Sequence, residues 1–282
     1  MIGYINDKTV PAIGKGIIRC PRLKEVTPKK EIVWEWKSEN HLKELIRLLG
    51  IKFPLKKGSE EVNNWAHNNT VGVIKENSAG DVDPRFRAGN ILFSYCNLNT
   101  IGIIDQETKE IVWAWGRGEL DGQHNPTMLP NGHILVFDNG TERGWSRVIE
   151  VDPLTEKIVW EYKGDTSDDT HFFSTYISGA QLLPGSNIFI CEGIHQSRGV
   201  KKLYRQIRQF LAGEKVGTSR LFEVTRNKRT VWECLINMIG DDIHGVYQAI
   251  RYSESYLRPL LKKIEKHLGD RQQRVRSLPY MR

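Results

Sequence analysis

Ile103-Ile104-Asp105-Gln106-Glu107-Thr108-Lys109-Glu110-Ile111-Val112-Trp113 is followed by a near copy of itself, Ile149-Glu150-Val151-Asp152-Pro153-Leu154-Thr155-Glu156-Lys157-Ile158-Val159-Trp160. Asp105, Thr108 and Trp113 recur 47 residues further on as Asp152, Thr155 and Trp160. Two copies with shorter turns lie outside this pair, Glu25–Trp34 and Glu223–Trp232. Each copy reads as an apolar strand, a polar turn and a second strand rich in β-branched and aromatic residues.

Ahead of the copies stand further hairpins with glycine-bearing turns, at Gly89-Asn90, Asn131-Gly132 and Pro184-Gly185. Two hairpins make a four-stranded unit, and a period near 47 suits the blade of a β-propeller. A lone blade cannot bury both faces, so blades must stack around an axis. The expected fold class is therefore all-β, a propeller of about four to six four-stranded antiparallel blades. Three full blades close with Trp113, Trp160 and Trp232. Residues 16–36 and a strand at Val246–Tyr252 are expected to supply a fourth, and the ring is expected to lack one or two N-terminal blades.

Breaks in the period locate insertions. Between Trp34 and Trp113 the excess falls near 38–64, where Leu42, Leu45, Ile46 and Leu49 have helical spacing. Between Trp160 and Trp232 it falls at 196–219, where Val200, Leu203, Tyr204, Ile207, Phe210 and Leu211 do the same. The propeller domain is thus read as 1–255, followed by a basic helical or irregular tail, 256–282.

Hydrophobic residues are 39% of the 282 and charged residues 27%, a globular composition that argues against disorder. The surplus of 41 Lys and Arg over 34 Asp and Glu is concentrated in Arg198–Lys215 and Arg258–Arg282. Such runs are ordinarily solvated helix faces, and otherwise attract anionic ligands. No basic motif is interleaved with aromatics, so nucleic acid is not an expected partner. No apolar run reaches the ~20 residues of a membrane span. The start lacks a signal-peptide pattern, so the expected location is cytoplasmic. Cys20, Cys96, Cys191 and Cys234 form no CxxC pair and read as buried free thiols.

An ordered series of short motifs carries a family resemblance. They are Trp65-Ala66-His67-Asn68-Asn69, Gly122-Gln123-His124-Asn125, Leu129-Pro130-Asn131-Gly132, Phe137-Asp138-Asn139-Gly140, Ser146-Arg147, Phe172-Phe173-Ser174, Ser178-Gly179-Ala180-Gln181 and Leu221-Phe222-Glu223-Val224. In this order, over roughly 30–255, the chain resembles the bacterial and archaeal arylsulfotransferases, which are propeller proteins. The resemblance implies nucleotide-independent transfer of a sulfuryl group from an aryl sulfate to a phenol, with no cofactor. A histidine in the central channel is transiently sulfated, while further histidines and an arginine cradle the sulfate and phenolic oxygens. That chemistry needs a neutral imidazole and fixed positive groups where charge develops.

Carried over residue by residue, the resemblance implies His195 as the nucleophile and His67 and His124 as sulfate-binding or acid–base groups. Arg143 is the better match to the family arginine, with Arg147 the alternative or a structural ion-pair partner. His171 falls on an expected channel-mouth loop and His133 in an exposed hairpin turn. His41, His244 and His267 belong to no constellation. The paired tryptophans Trp34–Trp36 and Trp113–Trp115 read as blade-packing residues, one of which can face an aryl ring. Two other readings stand beside this one. Converging histidines can hold zinc, although no HxH or HExxH spacing is present. A propeller can also be a non-catalytic ligand-binding or interaction module.

Overall fold

The computed structural model describes residues 1–55, 62–164, 172–194, 216–239 and 245–264. Four antiparallel sheets follow one another along the chain. The first has three strands, β1 (Ile2–Thr9), β2 (Ile17–Val26) and β3 (Ile32–Lys37). The second has four: β4 (Asn68–Val73), β5 (Ile91–Tyr95), β6 (Thr100–Ile104) and β7 (Ile111–Trp115). The third is built of β8 (His124–Met128), β9 (Ile134–Asp138), β10 (Arg147–Asp152) and β11 (Lys157–Tyr162). The fourth comprises β12 (Ser178–Leu182), β13 (Ile188–Glu192), β14 (Val216–Val224) and β15 (Thr230–Ile239). Each sheet is a meander in chain order, and the four have the arrangement of propeller blades, which among the described residues do not close into a ring.

The repeat is legible in the register. Each copy of the quoted stretch is the outer hairpin of a sheet, and a β-bulge falls at the same place in all four. The glycine-bearing turns join the two inner strands, with Gly89, Gly132 and Gly185 all at positive φ.

Blade packing explains the tryptophans. Trp34 and Trp36 bury against Ile91, Phe93, Ile104 and Ile111 of the second sheet. Trp113 and Trp115 share a core with Ile134, Val136, Ile149 and Val151 of the third. Tyr162 fills the same place one blade on, against Ile188, Ile190, Phe222 and Val224. At roughly 1.5–3 kcal/mol per buried large apolar side chain, these faces hold the stack together. None of the four paired tryptophans lines the cavity described below.

Three indoles also latch forward. Trp34 Nε1 donates to Gln106 O at 2.8 Å, Trp36 Nε1 donates to Lys109 O at 2.9 Å, and Trp160 Nε1 donates to Arg226 O at 2.9 Å, each on the outer turn of the next sheet. The Arg226 guanidinium lies 5.4 Å from the Trp160 ring. Trp160→Phe is therefore expected to cost about 1–2 kcal/mol, from the lost hydrogen bond and part of the ring contact. Urea unfolding of the variant checks this, and an unchanged midpoint contradicts the latch.

The structure amends several expectations. The predicted helix in the first insertion is α1 (Leu42–Leu49), seated through Leu45 and ended by Gly50 in the left-handed conformation. Val246–Tyr252 contains no strand, so among the described residues the first sheet has no counterpart of inner strands β4, β8 and β12. Most of the 196–219 insertion lies outside the described residues, but β14 begins at Val216 and takes its last four residues. All four cysteines are free, with Cys20 and Cys191 buried but Cys234 exposed. The chain divides into compact units at Met1–Ala249 and Ile250–Arg282, and residues 254–264 are helical.

Candidate active site

The three inner strands start with irregular backbone. The chain is left-handed at His67 (φ 44°), Asn125 (φ 52°) and Ile177 (φ 36°), each at the entry to an inner strand. Registers break between Asn68 and Thr70 and between His124 and Thr127. Such kinks re-aim side chains and collect at functional sites, where surrounding structure holds the strain. Here they deliver His67 from the second sheet and His124 from the third to one cavity of about 550 Å³. Tyr247, Tyr176, Trp65 and Cys96 supply much of its wall, with Asp121 and Glu142 among its polar groups. A polar cavity of about 220 Å³, lined by Asn69, Asn125 and Ser178, shares Tyr247 with it.

His124 is 5% exposed and held on one edge. Its Nδ1 lies 2.9 Å from Asn139 Oδ1 and 3.1 Å from Gly122 O. The Tyr247 ring meets it edge-on at 6.3 Å. Burial pushes the His124 pKa below the ordinary histidine range, and the nearby His67 pushes the same way against the two hydrogen bonds. His67 is exposed at the cavity wall, and Asn64 Nδ2 stands 2.6 Å from its Nδ1. The protein packed around it, then Arg19, lowers its pKa too. Both imidazoles therefore favour the neutral form that a nucleophile or base requires. The Cys96 thiol is pushed up to about 11 by burial and stays protonated, which makes it a poor competitor.

The arginines stand elsewhere. Asp138, fully buried, accepts from Arg147 Nε at 2.7 Å and Arg143 Nη2 at 3.0 Å. Arg147 continues to Glu161 at 3.0 Å and to Glu119 O at 2.7 Å. Arg143 stacks on Trp145 with its guanidinium 4.2 Å from the ring. Neither guanidinium lines the cavity. The next sheet repeats the Arg147 arrangement, with Glu192 and Arg220 paired in register and Arg220 Nε bonded to Glu233 at 2.9 Å.

His195, His171, His244 and His267 lie outside the described residues. His133 bonds to the buried Glu150 at 2.7 Å, and His41 stacks on Trp36 at 4.7 Å. Among the described residues, no three His, Cys, Asp or Glu group as metal ligands. No helix among them is long and apolar enough to cross a membrane. Sequence reasoning missed Tyr247, because the motif series passes it by.

These features define a class, a propeller-like protein whose neighbouring inner strands bring histidines to one shared cavity. The family model of the arylsulfotransferases matches residues 10–200, well over half of the chain, and the chain belongs to that family. No curated protein matches it. A solved structure of a protein of unknown function from Bacteroides caccae is similar at 16% identity and a TM-score of 0.38. The alignment covers 77% of this chain and 52% of that one, so this chain spans about half the length of the structure it matches.

Proposed function

We propose that the protein transfers a sulfuryl group from an aryl sulfate to a phenol at the cavity of His67 and His124. The observation that carries this reading is the convergence of two neutral-leaning histidines from adjacent sheets on one aromatic-walled cavity. A histidine lone pair attacks sulfur, the aryl O–S bond breaks, and its electron pair leaves on the phenolic oxygen, which takes up a proton. The acceptor phenol then gives up its proton and attacks the same sulfur. The N–S bond breaks and its pair returns to the imidazole.

The nucleophile proposed is His195, with His67 and His124 as acid–base and oxyanion-binding groups. The described chain reaches Ile194, whose N–H donates to Ser174 Oγ, next to the cavity-lining Thr175. Tyr247 would stack on or bracket the aryl ring. Arg143, at the flank of the cavity loop, remains the better proposal for a sulfate contact, since Arg147 has a structural counterpart in Arg220.

Brief incubation with a chromogenic aryl sulfate, acid-free digestion and peptide mass analysis test the reading. A histidine peptide should gain the mass of one SO3 group and lose it when phenol is added. No sulfated histidine, together with no release of the chromophore, would sink it. A second reading, binding of an aromatic ligand without turnover, is favoured by one feature: the described cavity wall carries Asp121 and Glu142 but no Arg or Lys.

A further inference from the structure

We propose that Asn139 is a positioning residue for His124, fixing its imidazole as the Nδ1–H tautomer so that Nε2 keeps the lone pair. The inference deepens the sulfuryl-transfer reading for its effect on turnover, but the tautomer itself can be judged without it.

Asn139 is fully buried, and its Nδ2 donates to Ser174 O at 2.7 Å. Its Oδ1 accepts from Ser178 Oγ at 3.2 Å. Flipping the amide would turn the NH2 away from that carbonyl and point an oxygen at it. The orientation is thus dictated by the network rather than chosen. Ser174 cannot drift either, because its N–H donates to Ser146 Oγ at 2.9 Å, and that hydroxyl donates to Asn139 O at 2.6 Å.

With Oδ1 fixed as an acceptor, the atom facing it must donate. His124 Nδ1 sits 2.9 Å away, and the second group near it, Gly122 O, is also an acceptor. Two acceptors on one ring nitrogen require the proton there. Nε2 is then unprotonated in the neutral ring, with no hydrogen bond to any described residue. The same logic orients the histidines of hydrolytic triads through a neutral or acidic partner.

Position explains why asparagine stands here. Asp138 on one side serves the arginines, and Gly140 on the other has φ 69° and would set a Cβ against Trp145 O. A carboxylate at 139 would hold the same proton but favour the imidazolium, which has no lone pair to offer. The other titratable groups around the cavity are His67, Tyr176, Tyr247, Cys96, Asp121 and Glu142.

The test is long-range proton–nitrogen NMR on the full chain labelled at histidine, assigned with His124→Gln. Wild type is expected to show His124 as Nδ1–H. Asn139→Leu should populate the other tautomer and lower kcat on the order of 10- to 100-fold with KM nearly unchanged, as when outer-shell partners of metal-bound histidines are removed. Asn139→Asp should raise the His124 titration and move the acid limb of turnover to higher pH, with activity recovered on alkalinisation. A wild-type Nε2–H tautomer overturns the proposal and needs no variant. So does an unmoved His124 titration in folded Asn139→Asp. Absence of aryl sulfate turnover in wild type defeats the functional reading alone, since both NMR results still stand or fall separately.

Discussion

His124→Ala is expected to lower turnover of an aryl sulfate by on the order of 10²–10⁴-fold, the range a positioned acid–base group supplies. The fold should survive. Asn139 Oδ1 keeps Ser178 Oγ when the ring is gone, and the cavity already opens to water. The residual rate should no longer respond to pH as wild type does. In wild type, burial lowers the His124 pKa, so the neutral ring persists into mildly acidic solution. The acid limb is therefore expected below the ordinary histidine range, and the alanine variant should lose it.

The same shift carries a sign for stability. Between the depressed folded pKa and the ordinary unfolded value, the unfolded chain binds more protons. Stability then rises with pH through that window and falls on acidification. A stopped-flow or absorbance pH series with an aryl sulfate measures the first effect. Turnover unchanged in His124→Ala would remove His124 from the proposed acid–base chemistry.

The blades were legible because a sheet writes its period directly into sequence. Asp105, Thr108 and Trp113 mark the outer hairpin, and the glycine turns mark the inner one. The first-insertion helix was legible from Leu42, Leu45 and Leu49 for the same reason. Val246–Tyr252 misled because its apolar and aromatic residues suggest a strand, while the hydrogen bonds it makes are not those of a strand ladder. Val246 N donates to Ser219 Oγ, Val246 O takes the Cys191 thiol, and Tyr247 Oη donates to Asn69 O. Those partners are distant in sequence, and no local pattern announces them.

The convergence of His67 and His124 followed from their equivalent places in successive repeats. The arginines did not follow from anything local. Whether Arg147 faces a cavity or a carboxylate depends on Asp138, its register partner on β9. Its repetition as Glu192 and Arg220 becomes meaningful only once β13 and β14 are paired.

That repetition makes Asp138 the site of the largest expected loss of stability. Asp138→Ala should destabilise the fold by about 3–5 kcal/mol, the cost of leaving a buried ion-pair partner uncompensated. Three attachments go at once. Arg147, only 9% exposed, loses its 2.7 Å bond, Arg143 loses its 3.0 Å bond, and the Asp121 amide loses Oδ1 at 2.8 Å. Arg147 keeps Glu161 and Glu119 O, which limits the damage but cannot replace a fully buried carboxylate.

The contrast with Arg147→Met decides what the arginine does. Methionine fills much of the stem's volume, and Arg143 remains to answer Asp138, so the stability loss should be clearly smaller than for Asp138→Ala. If Arg147 serves the blade and not the sulfate, Arg147→Met should also retain KM for an aryl sulfate. Arg143→Met should raise KM instead, because Arg143 follows the cavity-lining Thr141 and Glu142 in the chain. Chemical denaturation of the three variants, beside their Michaelis parameters, separates the two roles. A KM rise in Arg147→Met with unaltered unfolding would reverse the assignment.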